Sequence, residues 1–448
     1  MKTAQDEAKP AVVSEVRATQ AGETGPKDWE WVERHVWTER MLEALGSGVK
    51  GGVWFSLIDK IHRPKTLVAA WVAVKRNGGS AGSDHQSIED FEKDLAGEIE
   101  RLSEALRTGS YRPRPIRRVY IDKPGSSEKR PLGIPCVRDR VVQGALRLVV
   151  EPIFENVFVN HSYGFRPKRG CKDALREVDR LLHAGYTHVV DADIKAYFDN
   201  IPHETLMADI GGYIADGRVL ELIRSFLKQD VLEDLALWTP EKGSPQGAVI
   251  SPLLANLYLH PVDVAEAAAG FEMIRYADDL VILCRTETEA KQALDLLGKL
   301  TAERGLTLHP DKTRLVDVSL PREGFDFLGY HFVKSTRWPR KKSLKKLKDA
   351  IRSKTGRSHG GSMTEIVEDV NRTLRGWFEY FKHSHKTTFA PIDKWVRRRL
   401  RSILRKRQRL HGISRGYDHF RWPNAFFRAH GLYSLVGAHR ASVQSSLR

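Results

Sequence analysis

The sequence has little cysteine and no long apolar run. Its 448 residues include three cysteines, Cys136, Cys171 and Cys284. They match no CxxC metal pattern and are too distant from one another in sequence to indicate a disulfide framework. No apolar run reaches the roughly eighteen residues of a membrane-spanning helix, and the N-terminus lacks the apolar segment of a secretory signal. We therefore expect a soluble protein of a reducing, intracellular compartment.

Acidic residues are outnumbered by basic ones. Lys and Arg total 73 against 57 Asp and Glu, which gives a formal net charge of +16. The excess is concentrated after residue 336, and this clustering favours a polyanionic partner over a merely soluble basic protein. The length predicts two or three domains. Residues 1–30 have few large apolar side chains, so we expect a disordered tail there.

Two adjacent carboxylates, Asp278 and Asp279, lie between two short apolar runs. The first run ends at Tyr276 and the second is Leu280–Cys284. This pattern predicts a β-hairpin with the acids at its turn. Neighbouring carboxylates repel each other, which makes the turn a candidate site for a divalent metal. Ordinary turn chemistry, in which Asp bonds to its own backbone, is an equally good explanation of these two residues alone.

A third carboxylate follows a buried strand. The apolar run that begins near His188 leads into Asp193, and Asp191 would share a face of that strand. An acid at the end of a central strand is a natural metal ligand or catalytic group. We choose Asp193 because Asp199 and an aromatic pair follow it directly.

Basic residues and loops supply candidate phosphate contacts. Residues 117–135 predict a hairpin on which Lys123 and Arg130 lie close together, as a triphosphate site requires, although a solvated hairpin surface has comparable weight. The loop 162–170 combines Arg166 with aromatic side chains. In the loop 242–247, glycine and proline flank Gln246 and allow close approach to a ligand. Residues 325–332 predict a single strand.

Two amphipathic helices are predicted near the C-terminus. One carries an apolar stripe from Ile366 to Phe381 and the other a stripe from Ile392 to Leu404. The second helix and the Lys-rich segment 341–354 provide a basic surface that suits a nucleic-acid backbone. The residues that we predict to bind nucleic acid are Lys341, Lys345, Arg397, Arg398, Arg401 and Arg405.

Seven motifs, in order, resemble the reverse transcriptase/maturase family encoded by group II introns. The resemblance extends from about residue 53 to about residue 435. Its motifs are KPGSSEKRPLGIP, SYGFRPKRGC, DADIKAYFDNI, GSPQGAVISPLLANLYL, YADD at Tyr276–Asp279, GLTLHPDKT and FDFLGYHF. The resemblance implies an α+β right-hand polymerase. Its fingers and antiparallel-sheet palm would occupy residues 31–335, its helical thumb/maturase domain residues 336–410, and a basic, aromatic nucleic-acid-binding tail residues 411–448. The aromatic content of that tail, however, favours packing with a basic rim.

The resemblance also implies the chemistry of the site. Asp193, Asp278, Asp279 and the Ile194 carbonyl would hold two Mg²⁺ ions, and Phe198 would exclude the ribose 2′-hydroxyl. Lys312 would donate a proton to pyrophosphate. The remaining contacts to the incoming deoxynucleotide would come from Lys123, Arg130, Arg166, Gln246 and Gly247.

The resemblance further implies an RNA-directed DNA polymerase that also binds its intron RNA and assists splicing and mobility by target-primed reverse transcription. Its partners would be group II intron RNA, an RNA template with a DNA primer, dNTPs and target DNA, in a nucleoid-associated ribonucleoprotein of the bacterial cytoplasm and without a membrane. No endonuclease activity is expected. Two alternatives stay open: a group II-like reverse transcriptase with a defence or repair role, and a non-enzymatic RNA scaffold.

Overall fold

The computed structural model describes residues 29–49, 51–122, 129–412 and 416–446. Within these ranges the chain divides into two units, residues 29–122 with 129–315, and residues 316–446. The predicted tail, except for Trp29 and Glu30, lies outside the described residues, as does Lys123. No helix among the described residues is long and apolar enough to cross a membrane.

The first unit contains twelve described helices and most of the described strands. Its helices are α1 (Glu39–Ser47), α2 (Ile58–Ile61), α3 (Pro64–Asn77), α4 (Ile88–Lys93), α5 (Leu95–Thr108), α6 (Val137–Glu155), α7 (Cys171–His183), α8 (Tyr197–Asn200), α9 (His203–Gly211), α10 (Gly217–Leu227), α11 (Ser251–Ala268) and α12 (Glu287–Glu303). Its strands are β1 (Ile116–Asp122), β2 (Lys129–Ile134), β3 (His188–Asp193), β4 (Val231–Glu233), β5 (Ala236–Trp238), β6 (Glu272–Tyr276) and β7 (Asp279–Cys284). The division between the units falls within β8 (Arg314–Asp317).

Two four-stranded sheets organise this unit. The first has the order β2-β1-β4-β5, and its β1–β2 hairpin is the basic hairpin expected from the sequence. The second has the order β6-β7-β3-β8, with β7 antiparallel to both β6 and β3. Helices together with antiparallel pairing confirm the predicted α+β class.

Helices α6 and α11 are the buried helices of the first unit. The apolar stripe of α6 includes Val142, Leu146 and Val149, all fully buried. Most positions of α11 are buried as well, including the polar Asn256 and Asp263. Because burial of an unpaired polar group is costly, these two side chains require partners inside the unit.

The second unit has a small sheet and a helical core. Its elements are β9 (Phe325–Phe327), β10 (Tyr330–Val333), β11 (Thr336–Pro339), α13 (Lys341–Lys354), α14 (Met363–Phe381), a 3₁₀ turn (Lys386–Thr388), α15 (Phe389–Arg407), α16 (Asp418–Arg421), α17 (Asn424–Ala429) and α18 (Leu435–Ser446). The apolar stripes of α14 and α15 pack together in one core, as predicted. Trp422, Phe427 and Leu435 are buried in the same core, whereas Tyr417 and Phe420 are exposed.

The prediction of one strand over residues 325–332 is wrong. The segment is the hairpin β9–β10, and Tyr330 pairs with Phe327 across its turn. Leu328 and Gly329 both have positive φ angles, 46° and 87°, which is the backbone of a tight two-residue hairpin turn. The apolar residues on both sides of Leu328 conceal this turn in the sequence.

Arg166 is also placed differently from its prediction as a nucleotide contact. Its side chain is 2% exposed, and its Nε donates to Glu155 Oε2 at 2.9 Å. Nη2 donates to Glu155 Oε1 at 2.6 Å, and Nη1 donates to the carbonyl of Ser162 at 2.7 Å. With its donors engaged in this way, the guanidinium anchors the loop 162–170 to the end of α6 and does not face a triphosphate.

We expect Arg166→Ala to lower the stability of the protein. Removal of one partner from a buried ion pair costs about 3–5 kcal/mol, because the other charge stays buried without compensation. Thermal unfolding should show a lower Tm for Arg166→Ala, whereas the exposed control Arg176→Ala on α7 should unfold near the wild-type temperature. A wild-type Tm for Arg166→Ala, together with a raised KM for dNTP, would restore the nucleotide-binding role.

Candidate active site

Strand pairing brings the three predicted acids to one end of the second sheet. In the β3–β7 register Asp193 lies directly opposite Asp279, and in the β6–β7 register Asp279 lies opposite Tyr276. Ala277 and Asp278 form the two-residue turn between β6 and β7. The hairpin predicted from the sequence is therefore present, and Asp193 stands beside it on the neighbouring strand.

The same end of the sheet carries compensating cations. Lys312 Nζ forms an ion pair with Asp193 Oδ2. Burial raises the pKa of Asp278 above its ordinary value, and the Asp193 carboxylate raises it further, while Arg130 and Arg275 oppose the rise. The acids therefore share this end of the sheet with three basic side chains, Lys312, Arg130 and Arg275.

Asp191, the alternative to Asp193, has a different partner. Its Oδ2 accepts a hydrogen bond from Arg314 Nε at 3.1 Å, and Arg314 belongs to β8. Asp193 lies at the end of β3, beside the turn of the hairpin, whereas Asp191 lies two residues earlier, opposite Val281. This arrangement supports the choice of Asp193.

The backbone after β3 leaves one carbonyl near the acids. Ile194 forms a bridge with Leu308, in which His309 N donates to Asp193 O at 2.7 Å and Lys195 N donates to Thr307 O at 2.9 Å. Neither bond uses the Ile194 carbonyl. Three carboxylates and a carbonyl are hard oxygen donors, so this donor set fits a divalent cation such as Mg²⁺ or Mn²⁺.

The three carboxylates are neighbours without converging on a point. Among the described residues, one group of three His, Cys, Asp or Glu side chains brings its ligand atoms within 4.8 Å of one another. That group is His161, Glu177 and Glu272. Glu177 of that group is paired with Arg180. The three aspartates do not form such a group among the described residues.

A hydrogen-bonded connection links the basic hairpin to the loop 242–247. Arg130 Nε donates to Gln246 Oε1 at 2.7 Å, and Gly133 N donates to Gln246 O at 2.7 Å. Gly247 has φ +111°, and a Cβ there would lie 2.3 Å from the carbonyl oxygen of Gly133. Gly247 therefore lets the loop lie directly against β2, which places Gln246 and Arg130 together.

Phe198 belongs to the short helix α8 and is connected to the same loop. Its carbonyl accepts a hydrogen bond from Ser244 N at 2.7 Å. Its side chain is 9% exposed and contacts Tyr197 edge-on, with ring centroids 5.4 Å apart. The segment after Asp193 and the loop carrying Gln246 are thus held together, and the role of Phe198 as a gate stays a prediction.

The basic surface of the second unit is smaller than predicted. Lys341, Lys345 and Arg398 are exposed, and Arg397 is half-buried. Two other predicted arginines bind protein oxygen atoms inside the unit, which argues against their contact with a nucleic-acid backbone. Arg401 is 1% exposed and donates to Trp422 O and Asn424 Oδ1, both at 2.9 Å.

Arg405, the second of these arginines, pairs with a buried carboxylate. Its Nη1 donates to Asp418 Oδ1 at 3.0 Å, and its Nη2 donates to His411 O at 2.6 Å. Arg401 and Arg405 lie one helical turn apart on α15 and hold His411 and residues 418–424 to that helix. A run of arginines in the sequence does not distinguish such anchors from the exposed Arg398.

The sequence did not identify Arg275 as part of the site. This side chain lies between two apolar neighbours in β6, is 1% exposed, and donates through Nη1 to the carbonyl of Ala277 at 2.9 Å. Its one signal in the sequence is a charge that follows Met273 and Ile274 and stands directly before Tyr276. A buried charge of that kind requires a paired carboxylate, and here it is Asp263.

Comparison with known proteins gives two family matches. A model described as "Reverse transcriptase (RNA-dependent DNA polymerase)" matches residues 121–332, and one described as "Group II intron, maturase-specific domain" matches residues 344–419. The first match covers the three aspartates, and the second covers most of α13 and all of α14 and α15. The right-hand polymerase fold expected from the sequence is therefore confirmed.

Individual relatives agree with these matches. The chain is 41% identical over 213 residues to the "Group II intron-encoded protein LtrA" of Lactococcus lactis subsp. cremoris, covering 47% of this chain and 35% of that protein. It is 32% identical over 319 residues to "Protein YkfC" of Escherichia coli, covering 62% of this chain and 83% of that protein. Among solved structures, a "Partial Cas6-RT-Cas1--Cas2 complex" aligns over 55% of this chain and 41% of that chain, with 26% identity and a TM-score of 0.36.

The matched segment thus spans about a third of the length of LtrA and most of the length of YkfC. The reverse transcriptase match precedes the maturase match along the chain, and the seven motifs lie at or before the end of the first match. On this evidence the chain belongs to the family of group II intron-encoded reverse transcriptases and maturases.

Proposed function

We propose that the protein is an RNA-directed DNA polymerase that extends a DNA primer on an RNA template. The observation that carries this proposal is the cross-strand pair of Asp193 and Asp279, with Asp278 in the adjoining turn. A protein that only scaffolds RNA has no need of three repelling carboxylates at one end of a sheet. Because like charges opposite each other destabilise a sheet, their presence favours a catalytic use.

Two Mg²⁺ ions would be held by Asp193, Asp278, Asp279 and the carbonyl of Ile194. When bound, they lower the pKa of the attacking 3′-hydroxyl and neutralise charge on the leaving pyrophosphate. The carboxylates fix the end of the primer against the incoming nucleotide. Lys312 is placed beside Asp193 by their ion pair, and we propose it as the proton donor to pyrophosphate.

The incoming dNTP would contact the residues that connect the basic hairpin to the loop 242–247. Arg130 faces its triphosphate, and we propose Lys123 as a second triphosphate contact on the basis of the sequence motif. Gln246 and Gly247 approach the nascent base pair. Arg130 already interacts electrostatically with Asp278 and donates to Gln246, so one side chain joins the nucleotide contacts to the acids. Phe198 would exclude the ribose 2′-hydroxyl.

The second unit would bind group II intron RNA and assist its splicing. Lys341, Lys345, Arg397 and Arg398 are the predicted backbone contacts that remain accessible in α13 and α15. Such contacts position RNA without reading its sequence. We assign residues 31–335 to fingers and palm, 336–410 to the thumb/maturase domain and 411–448 to a C-terminal tail. The protein would act in a cytoplasmic ribonucleoprotein that also binds target DNA during mobility.

We expect Asp278→Asn to lower primer extension by at least about 100-fold, since substitutions that only support metal ligands already cost about 10–100-fold. The amide keeps the shape of the turn and removes the charge that the cation requires. The measurement is single-nucleotide extension of a DNA primer on an RNA template, with RNA affinity measured in parallel and expected to be near normal.

The matched control is Asp295→Asn, which changes an exposed carboxylate on α12. It should extend primers at the wild-type rate. Full activity of Asp278→Asn would remove this residue from the set of metal ligands.

We expect Phe198→Ala to relax discrimination against ribonucleotides by at least about tenfold, because a lost side chain opens space that one extra hydroxyl can enter. The measurement is the ratio of kcat/KM for a dNTP to that for the matching rNTP. Tyr197→Phe is the control, since it keeps the neighbouring ring and removes only the hydrogen bond to Ala255 O. An unchanged ratio in Phe198→Ala would rule out the gate.

Two arginines on α15 should behave in opposite ways. Arg398→Ala should leave Tm unchanged and reduce the slope of log RNA affinity against log salt concentration by about one, as for a lost phosphate contact. Arg401→Ala should leave the slope unchanged and destabilise the protein by on the order of 1.5–3 kcal/mol, the range for a hydrogen bond to a charged group. Thermal unfolding measures the stability of each variant, and salt titration of RNA binding measures the slope. A destabilised Arg398→Ala together with a reduced slope for Arg401→Ala would refute the placement of these side chains.

A further inference from the structure

A buried network reaches the turn that carries Asp278. Arg275 Nε donates to Asp263 Oδ1 at 2.7 Å, and Nη2 is also paired with Asp263. Nη1 donates both to Asn256 Oδ1 and to the carbonyl of Ala277, each at 2.9 Å. The guanidinium therefore connects α11 to the residue directly before Asp278.

The backbone of Arg275 and the loop before α7 close the network from the other side. Arg275 N donates to His161 O at 3.0 Å, and Tyr163 N donates to Arg275 O at 2.8 Å. Asn256 Nδ2 donates to Gly164 O at 2.6 Å. One amide side chain thus binds both the guanidinium and the loop.

Gly164 lies in direct contact with the turn. A Cβ at this position would be 2.3 Å from Ala277 N and 2.9 Å from the carbonyl carbon of Tyr276. Both atoms belong to the backbone, so a side chain at Gly164 can be accommodated only if the loop or the turn moves. The turn is therefore enclosed by Gly164 on one side and by the guanidinium of Arg275 on another.

This turn needs external support for two reasons. Ala277 has φ +60°, a left-handed conformation that costs a non-glycine residue on the order of 1–2 kcal/mol. Asp278 also lies in the turn directly before Asp279, which is the cross-strand partner of Asp193, and like charges this close repel one another. Both effects favour a turn in which the Asp278 carboxylate moves away from its neighbours.

Stability alone does not explain a buried ion pair at this position. Such a pair is often no more stabilising than apolar residues of the same volume, because burial removes both charges from water. Apolar residues could fill the space between α11 and β6, but they could not donate to the Ala277 carbonyl. The fork of the guanidinium serves Asp263, Asn256 and the turn at once.

We propose that Arg275, held by Asp263 and Asn256, acts with Gly164 to fix the Ala277–Asp278 turn so that the Asp278 carboxylate stays beside Asp193 and Asp279. These are positioning residues, because none of them is a ligand of the metal itself. The effect of this positioning on catalysis rests on the proposed polymerase function. Its structural consequence, the affinity of the three aspartates for a divalent cation, can be measured without any turnover.

The test is a Mn²⁺ titration followed by electron paramagnetic resonance, which reports the fraction of free ion. Mn²⁺ takes the same oxygen ligands as Mg²⁺. The variants are Gly164→Ala, which introduces a methyl group against the turn, and Arg275→Lys, which keeps a charge for Asp263 and loses the fork. Asp278→Asn defines the signal of the protein without the site.

We expect both variants to bind Mn²⁺ about 10–100-fold more weakly than wild type, as for other residues that orient metal ligands. The matched control is Gly298→Ala on α12, where an added Cβ meets no atom within 4 Å. It should bind Mn²⁺ like wild type. Primer extension by the two variants should show a lower kcat and a higher requirement for Mg²⁺, with unchanged affinity for the template–primer.

Two results would overturn the proposal. One is wild-type Mn²⁺ affinity in folded Gly164→Ala and Arg275→Lys. The other is loss of folding in both, which would mean that the network stabilises the unit as a whole instead of the turn. Absence of primer extension by the wild-type chain would instead reject the proposed polymerase function and leave the Mn²⁺ comparison to decide the positioning role.

Discussion

Repulsion among three carboxylates is the constraint on which the arrangement of the first unit depends. Asp193 and Asp279 are cross-strand partners, and Asp278 lies in the turn directly before Asp279. Strand pairing sets their separation, because hydrogen bonds along β3, β6 and β7 fix the register and cannot relax at one residue alone. The apolar residues behind the acids, from Leu280 to Cys284, are buried and hold this register in place.

Basic side chains surround the acids at different depths and have different uses. Lys312 pairs with Asp193 where both side chains are accessible to solvent, so this pair can open when another cation or a phosphate competes. Arg130 comes from the β1–β2 hairpin and also bonds to Gln246. Arg275 is buried and paired, and it therefore stays in place whatever binds in front of it. The buried Arg275 therefore supports the site, whereas the more accessible Lys312 and Arg130 can exchange their partners for ligands.

Local sequence pattern predicted the acids and their elements, because the signals were short-range. An apolar run on each side of Asp278 and Asp279 indicates a hairpin, and the run before Asp193 indicates a strand. Pairing between β3 and β7 is a contact between residues about 86 positions apart, Asp193 and Asp279. No periodicity within either strand specifies that pairing, and the resemblance to a known family supplied it.

Three arginines lie elsewhere than their sequence motifs suggested, and the reason is the same for each. Arg166, Arg401 and Arg405 were expected to face phosphates, yet each binds protein oxygen atoms. A guanidinium presents the same planar donors to a carboxylate, a carbonyl or a phosphate, so the residue type does not reveal its acceptor. Burial decides between them, and burial depends on neighbours such as Glu155 and Asp418 that lie in other segments of the chain.

The same reasoning explains why the support of the site escaped notice. Gly164, Asn256, Asp263 and Arg275 come from a loop, a helix and a strand, and no short motif unites them. Each has an ordinary local explanation: glycine in a loop, polar residues on a helix, a charge near a turn. Together they satisfy one another's hydrogen bonds in the interior and leave a single donor directed at the Ala277 carbonyl. A buried polar network whose members are satisfied is rigid, and rigidity directly behind a set of repelling carboxylates is what a preorganised metal site requires.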